Sequence, residues 1–383
     1  MERCGEVFEE CIPRGDSLVP PISISAVYRR TSTGLPEREY LEVKYGRENN
    51  PSVMVFEETM SCVEAAEYGL AFNSGMAAIA AIAHYARERD LRVLGSRLLY
   101  GSTRRLLERI LPGEKLFFAG PPWDELLSQV ERADMVVVET IGNPTLRVPP
   151  LEDLARECRA RDCMLVVDNT FASPVSYRPL LHGATVVVES LTKYIGGHND
   201  LLGGYTGTRV EEVHASLWDW RRLLGGTLQP LEAYLAYRGL RTLEIRYKRA
   251  TQTALFLAER LSALLGEDNV IYPCLPSHPD YERAKKNLNG LCGGVLSLDL
   301  GSAKAAQAFL ESLEIITPAP SLGSVDSLAS HPYTSSHRGM PEKEKEELGI
   351  TPGLVRISVG LEDPRILWRD IERAVSRARS QLK

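Results

Sequence analysis

From residue 69 to residue 208 the chain alternates short apolar runs with longer amphipathic stretches. The runs are Gly69–Phe72, Arg92–Gly95, Lys115–Phe118, Met135–Glu139, Met164–Asp168, Thr185–Glu189 and Gly204–Gly207. Most are β-branched or aliphatic with polar residues at their ends, which marks short buried strands. Between several of them lie segments such as GMAAIAAIAHYARERD and LEDLARECRARD, whose apolar residues recur at helical spacing. Strand and helix in turn predict βαβ units, hence an α/β fold with a mostly parallel sheet covered by helices.

The pattern changes on either side. Residues 1–45 are rich in Pro, Arg and Ser with weak periodicity, and are expected to form an extended arm. Leu228–Leu265 is long, has Gly239 as its only glycine and is expected to be helical, a spine between domains. Strand-like runs then recur at Gly294–Leu300, Ile315–Ala319 and Val355–Val359, separated by the helical segments Ala303–Leu313 and Pro364–Leu382. They predict a second α/β or α+β domain. Pro276–Leu291 and His331–Lys345 are expected to be exposed loops.

Composition narrows the function. At 383 residues the chain holds two or three domains, and 44% hydrophobic content excludes wholesale disorder. A formal net charge of −6 argues against a nucleic-acid partner. The opening MERCGEVFEECIPRGD has no apolar signal core, and no stretch nears a membrane span, so a soluble cytoplasmic protein is expected. The seven cysteines form no CxxC pair and no zinc spacing, and are expected to be free thiols in a reducing compartment. There is no GxG dinucleotide fingerprint, Walker lysine loop, HExxH or GxSxG elbow. A ligand must therefore be held by other means at the carboxyl ends of the strands.

Four strand ends carry candidate chemistry. Met164–Val167 runs into Asp168-Asn169-Thr170, a carboxylate that either caps or pairs structurally, or faces a cationic ligand atom such as a pyridinium nitrogen. Thr185–Val188 runs into Glu189-Ser190-Leu191-Thr192-Lys193, then the glycine-rich IGGHNDLLGG. Lys193 is either a solvated loop lysine or a desolvated Schiff-base amine, with Ser190 and Thr192 placed for a phosphate. Asn73-Ser74-Gly75-Met76 opens an Ala-rich helix, offering either simple capping or an anion site. Glu139-Thr140-Ile141-Gly142-Asn143-Pro144 is a polar turn at the fourth. Together they fit pyridoxal phosphate, which needs an amine, a carboxylate for its ring nitrogen and phosphate donors.

These segments resemble the Cys/Met-metabolism pyridoxal-phosphate enzymes, the group of cystathionine γ-synthases, cystathionine lyases and methionine γ-lyases. The resemblance runs from SLVPPISISAVY to VRISVGLED. VESLTKYIGGHNDLLGG is similar to the family's cofactor-lysine signature, which implies Lys193 as the cofactor lysine and Ser190 and Thr192 as phosphate ligands. By VVDNTFASP, Asp168 partners the ring nitrogen; by NSGMAAI, Gly75 and Met76 offer phosphate amides. By LLYGSTRRLL, Tyr100 stacks on the cofactor and is the acid or base candidate near the leaving atom; by ETIGNPTLRV, Asn143 lies near the phenolic oxygen. KYGRENNPS implies that Tyr45 and Arg47 cross to a neighbouring subunit's phosphate. SLGSVDSL and VRISVGLE imply a substrate carboxylate clamp by Arg356 with Ser321, and Asp326 as an acid toward a distal amino group.

The resemblance implies a fold-type I transferase-like architecture with a seven-stranded large-domain sheet. It divides the chain into an arm (1–45), a cofactor-binding large domain (46–235) and a C-terminal domain with the carboxylate site (236–383). It also implies small amino-acid substrates and a homotetramer, a dimer of dimers with shared sites. The chain departs from the usual pattern at Gly46, at Ser102 where methionine γ-lyases carry Cys, at Asp326 where many members have Glu, and in HPYTSSH, with Tyr333 and Ser336 changed. It lacks the insertion of O-acetylhomoserine sulfhydrylases. The expected reaction is γ-elimination on cystathionine. The alternative is γ-replacement of an O-acylhomoserine by cysteine, ahead of methionine γ-lyase or a non-catalytic paralogue.

Overall fold

The computed structural model describes residues 18–29 and 38–380. The rest of the expected arm, with Cys4 and Cys11, lies outside the described residues. All seven apolar runs are strands: β1 Tyr68–Phe72, β2 Val93–Ser96, β3 Leu116–Ala119, β4 Met135–Glu139, β5 Met164–Asp168, β6 Val186–Ser190 and β7 Gly204–Thr208. They form one sheet in the order β1-β7-β6-β5-β4-β2-β3. β7 runs antiparallel to both neighbours and the other pairs are parallel.

The unbroken apolar runs have a simple cause. Side chains alternate across a strand, and helices cover both faces of this sheet. Along β4, Val136 and Val138 pack into one apolar layer, while Met135 and Val137 pack into the other. Only the strand ends escape this cover, so polar side chains collect there.

A second sheet is built from β8 Val270–Ile271, β9 Val295–Asp299, β10 Thr317–Pro318, β11 Leu328–Ser330 and β12 Leu354–Ser358, in the order β10-β11-β12-β9-β8. β9 and β12 are the expected runs, and Ile315–Ala319 contributes only the two-residue β10. Among the described residues, no helix is long and apolar enough to cross a membrane.

Leu228–Leu265 is helical as expected, in two helices, Pro230–Leu240 and Leu243–Leu265. The break follows Gly239, where a Cβ would stand 2.4 Å from the carbonyl oxygens of Ile195 and Gly196. Arg246 folds back there, donating from Nη2 to Gly239 O at 2.6 Å and from Nη1 to Tyr194 O at 2.7 Å. Pro276–Leu291 is no exposed loop: it contains the helix Tyr281–Asn287, and His278, Asp280, Ala284 and Leu288 are buried. Asp280 anchors it, accepting from Trp123 Nε1 at 3.1 Å, Arg147 Nε at 2.6 Å, Arg283 Nη1 at 2.7 Å and Val148 N at 3.0 Å.

His331–Lys345 is turn-rich but also partly buried, at His337 and Lys345. The Lys345 ammonium sits 4.0 Å from the centroid of the Tyr333 ring, which explains how a lysine is accommodated there. The expectation of free thiols holds for Cys158 and Cys163, both buried. It fails at Cys274 and Cys292, which form a disulfide across the ends of the anchored segment, and Cys62 is also disulfide-bonded. Spacing concealed the first pair, because the helix Tyr281–Asn287 folds an 18-residue separation back to a Cα–Cα distance of 5.9 Å.

Candidate active site

The carboxyl ends of β4, β5 and β6 open onto a cavity of about 1250 Å³, closed on its other side by residues around β11 and β12. Ser74, Gly75 and Met76 reach it at the start of the helix Gly75–Glu88. Ser74 caps that helix, its Oγ accepting from Ala77 N at 3.1 Å, while the first amides stay available for an anion. A Cβ on Gly75 would come within 3.2 Å of Ser190 Cβ, and one on Gly204 within 2.3 Å of Ser74 O. Glycine is therefore required for β6, β7 and this helix start to meet. Ser190 and Thr192 line the same end; Thr192 Oγ1 accepts from Gly203 N at 3.1 Å.

Lys193 lines the cavity, its Nζ donating to Ser321 Oγ at 2.8 Å. Burial pulls this amine down to about 8, and the nearby Arg356 charge pushes the same way. Arg356, on β12, donates from Nη1 to Asn143 Oδ1 at 2.9 Å and from Nη2 to Ser321 O at 2.8 Å. Its Nε is buried without a partner, and burial lowers the guanidinium to about 10. Ser321 holds φ 92°, a left-handed conformation that is strained for a serine and fixed by contacts at both its oxygens. Tyr100 lines the cavity mouth, exposed, as the residue before the helix Gly101–Ile110. A Cβ on Gly101 would lie 2.7 Å from Ser336 O, so the HPYTSSH loop packs directly on this helix start.

Asp168 ends β5 and lines the cavity. Its Oδ1 accepts from Thr170 N at 3.1 Å and Thr170 Oγ1 at 2.6 Å, which leaves Oδ2 for a ligand. Burial raises this carboxyl, and the two Thr170 bonds oppose the rise. Glu139 pairs with Asp168 in register on β4. It is raised well above the usual range by burial and by Asp168, and accepts from Tyr100 N at 2.5 Å.

Three expected residues stand apart. Tyr45 is exposed and Arg47 donates to Arg222 O at 2.7 Å; neither lines this chain's own cavity. Asp326 does not line it either, but accepts from Asn199 Nδ2 at 3.1 Å, and Asn199 does. The lining also includes Thr170, Glu139 and Ser335, none of them among the expected site residues, and Ser336, one of the two changed positions in HPYTSSH. Thr170 had a signal, as a hydroxyl two residues after the strand-end acid.

The chain matches the family described as Cys/Met metabolism PLP-dependent enzyme over residues 9–376. It is 35% identical over 365 residues to a cystathionine gamma-lyase of Dictyostelium discoideum, covering 94% of this chain and 93% of that protein. Among solved structures it resembles cystathionine gamma-lyase from yeast, with a TM-score of 0.87, 32% identity and 98% coverage of both chains. It also resembles cystathionine gamma synthase from Xanthomonas oryzae pv. oryzae in complex with cystathionine, with a TM-score of 0.86, 30% identity and 98% coverage of both. The chain belongs to the Cys/Met-metabolism family of pyridoxal-phosphate-dependent enzymes. Its members here are lyases and synthases of sulfur amino-acid metabolism, and their cofactor is pyridoxal phosphate.

Proposed function

We propose that this chain catalyses γ-elimination on L-cystathionine, giving cysteine, 2-oxobutanoate and ammonia. The observation that carries the reading is the buried Lys193 amine, 2.8 Å from Ser321 Oγ in a cavity that also holds Asp168 and Arg356. Likeness to proteins named cystathionine gamma-lyase turns that chemistry toward elimination. The donor set fits pyridoxal phosphate. Lys193 would hold it through the amine, Asp168 Oδ2 would face the ring nitrogen, and Ser190, Thr192 and the amides of Gly75 and Met76 would take the phosphate. Asn143 and the Tyr100 ring complete the surroundings of the ring.

When bound, that cofactor supplies an electron sink for the pair left at the substrate Cα. Arg356 orients the substrate by gripping its carboxylate, with Ser321 holding the guanidinium in place. Lys193 takes the Cα proton, and its low proton affinity keeps a neutral amine available near neutral pH. Once it has given that proton up, the same amine takes a proton from Cβ, and the electron pair left there expels the sulfur from Cγ. Tyr100 gives a proton to the departing sulfur, so that cysteine leaves as the thiol. Water then releases ammonia and the oxo acid.

The assignment extends to assembly. Tyr45 and Arg47 lie outside their own cavity, and Leu18, Ile24 and Val27 leave apolar surface exposed. Both features support a homotetramer, a dimer of dimers in which this segment completes a neighbour's site. β1–β7 fall within 46–235 and β8–β12 within 236–383, which supports those domain limits.

The test is 2-oxobutanoate release from L-cystathionine alone, with cofactor-saturated protein. Rapid release is expected. Yellow, folded protein that releases none, yet joins cysteine to an O-acylhomoserine, would make it a γ-synthase, the reading favoured by the likeness to the synthase structure.

A further inference from the structure

Two buried glutamates outside the cavity lining have no part in the chemistry above. Glu64 ends the helix Pro51–Glu64 and is 0% exposed. Neither of its carboxyl oxygens makes a hydrogen bond within ordinary geometric limits. Glu189, on β6, is 1% exposed, and its Oε1 accepts from Asn169 Nδ2 at 3.0 Å. The two carboxyls meet each other, and the Asn169 side chain lies against both.

Asn169 directly follows Asp168 and is itself fully buried. It is tied on every side: Nδ2 also donates to Tyr177 O at 2.9 Å, Oδ1 accepts from Thr140 Oγ1 at 2.7 Å, and its backbone N donates to Val188 O at 2.8 Å. Two carboxylates in contact inside a protein do not both ionise. An acceptor against an acceptor forms no bond, and a proton between them converts the contact into O–H···O.

We propose that Glu64 and Glu189 share a proton, and that the pair acts through Asn169 as a positioning element fixing the charge and orientation of Asp168. The proposal rests on Asp168 as the partner of the cofactor's ring nitrogen. Other charged or titratable groups face the pair from the surrounding elements. They are Arg178 from the segment after β5, Asp168 from β5 itself, Tyr205 from β7 and Tyr247 from the helix Leu243–Leu265. Arg178 alone favours ionisation of Glu64 by its charge, while Asp168 opposes ionisation of Glu189.

Burial pushes Glu64 up to about 7. Glu189 is raised well above the usual carboxylate range by burial and then by Glu64. Glu189 therefore keeps its proton through neutrality and donates it once Glu64 ionises. Below about 7 the pair is neutral; above it, the pair holds one negative charge beside the residue next to Asp168. That charge tightens the hold on any proton facing Asp168.

The test compares wild type, Glu64→Gln and Glu189→Gln in two readouts. The first is thermal unfolding of the apoprotein against pH. Glu64 keeps its proton to about 7 when folded, against an ordinary value of 4.5, so folding stability falls as pH rises between the two. Glu64→Gln should flatten that fall. The second readout is the holoenzyme's visible absorbance against pH, where the wild-type step near pH 7 should vanish in Glu64→Gln. Glu189→Gln keeps an N–H for Glu64 and an acceptor for Asn169, and should retain the step.

A Glu64→Gln profile parallel to wild type in unfolding overturns the shared proton. A flattened unfolding profile with an unchanged absorbance step overturns the coupling to Asp168. Should Glu64→Gln fail to fold, the infrared signal of protonated carboxyls in wild-type apoprotein decides: a loss across pH 7 is expected, and a constant signal overturns the pair. The Asp168 reading is tested separately by Asp168→Asn, which should change the holoenzyme spectrum whatever the pair does.

Discussion

An amine brought down to about 8 by burial, with Arg356 adding to the effect, is half neutral at a pH where a surface lysine is almost wholly charged. Only the neutral form bonds an aldehyde. Recapture of pyridoxal phosphate by apoprotein should therefore quicken as pH rises through about 8 and level off above it. Stopped-flow absorbance measures this, and a rate flat from pH 7 to 9 would contradict the assignment of Lys193. Lys193→Ala should lose both turnover and the visible band of covalently held cofactor. Ser321 contributes at this scale through its backbone as much as its hydroxyl. A strained φ of 92° lets one residue offer Oγ to Lys193 and its carbonyl to Arg356.

Between elements, what the sequence reveals depends on how long a run is and what covers it. β4 and β6 stand out because both faces are buried, Asp168 stands out because it ends such a run, and Lys193 because it follows β6 by three residues. β8 and β11 have two and three residues, too few for any periodicity. Glu189 passes for the polar end of its strand, because its partner Glu64 lies 125 residues earlier on a helix that gives no sign of it. Asp280 is equally silent, an acid in a polar stretch that proves to clasp Trp123, Arg147, Val148 and Arg283. Asp280→Ala should cost about 3–5 kcal/mol, because it strands Arg147 in a partly buried site without its carboxylate. Calorimetry should show the loss as a lower Tm, with kcat close to wild type because Asp280 does not line the cavity.

At the scale of the whole molecule, the cavity is a seam between the two sheets. The first supplies Asp168, Ser190 and Lys193 from strand ends, and the second supplies Arg356 from β12, which lies between β11 and β9. Arg356 reaches Asn143 across 213 positions of sequence. This separation has a consequence for synthesis. The ribosome makes Lys193 well before Arg356, so the proposed carboxylate clamp emerges after the cofactor lysine, together with the strand that joins the two halves of the second sheet. If Arg356 is that clamp, a nascent chain is unable to grip an amino-acid substrate until Arg356 has been made. A product ending before residue 354 should leave the edges of β9 and β11 unpaired and prone to aggregate. Release of such a stalled product as soluble, substrate-binding protein would refute this order of assembly; its recovery in the pellet is the expected result.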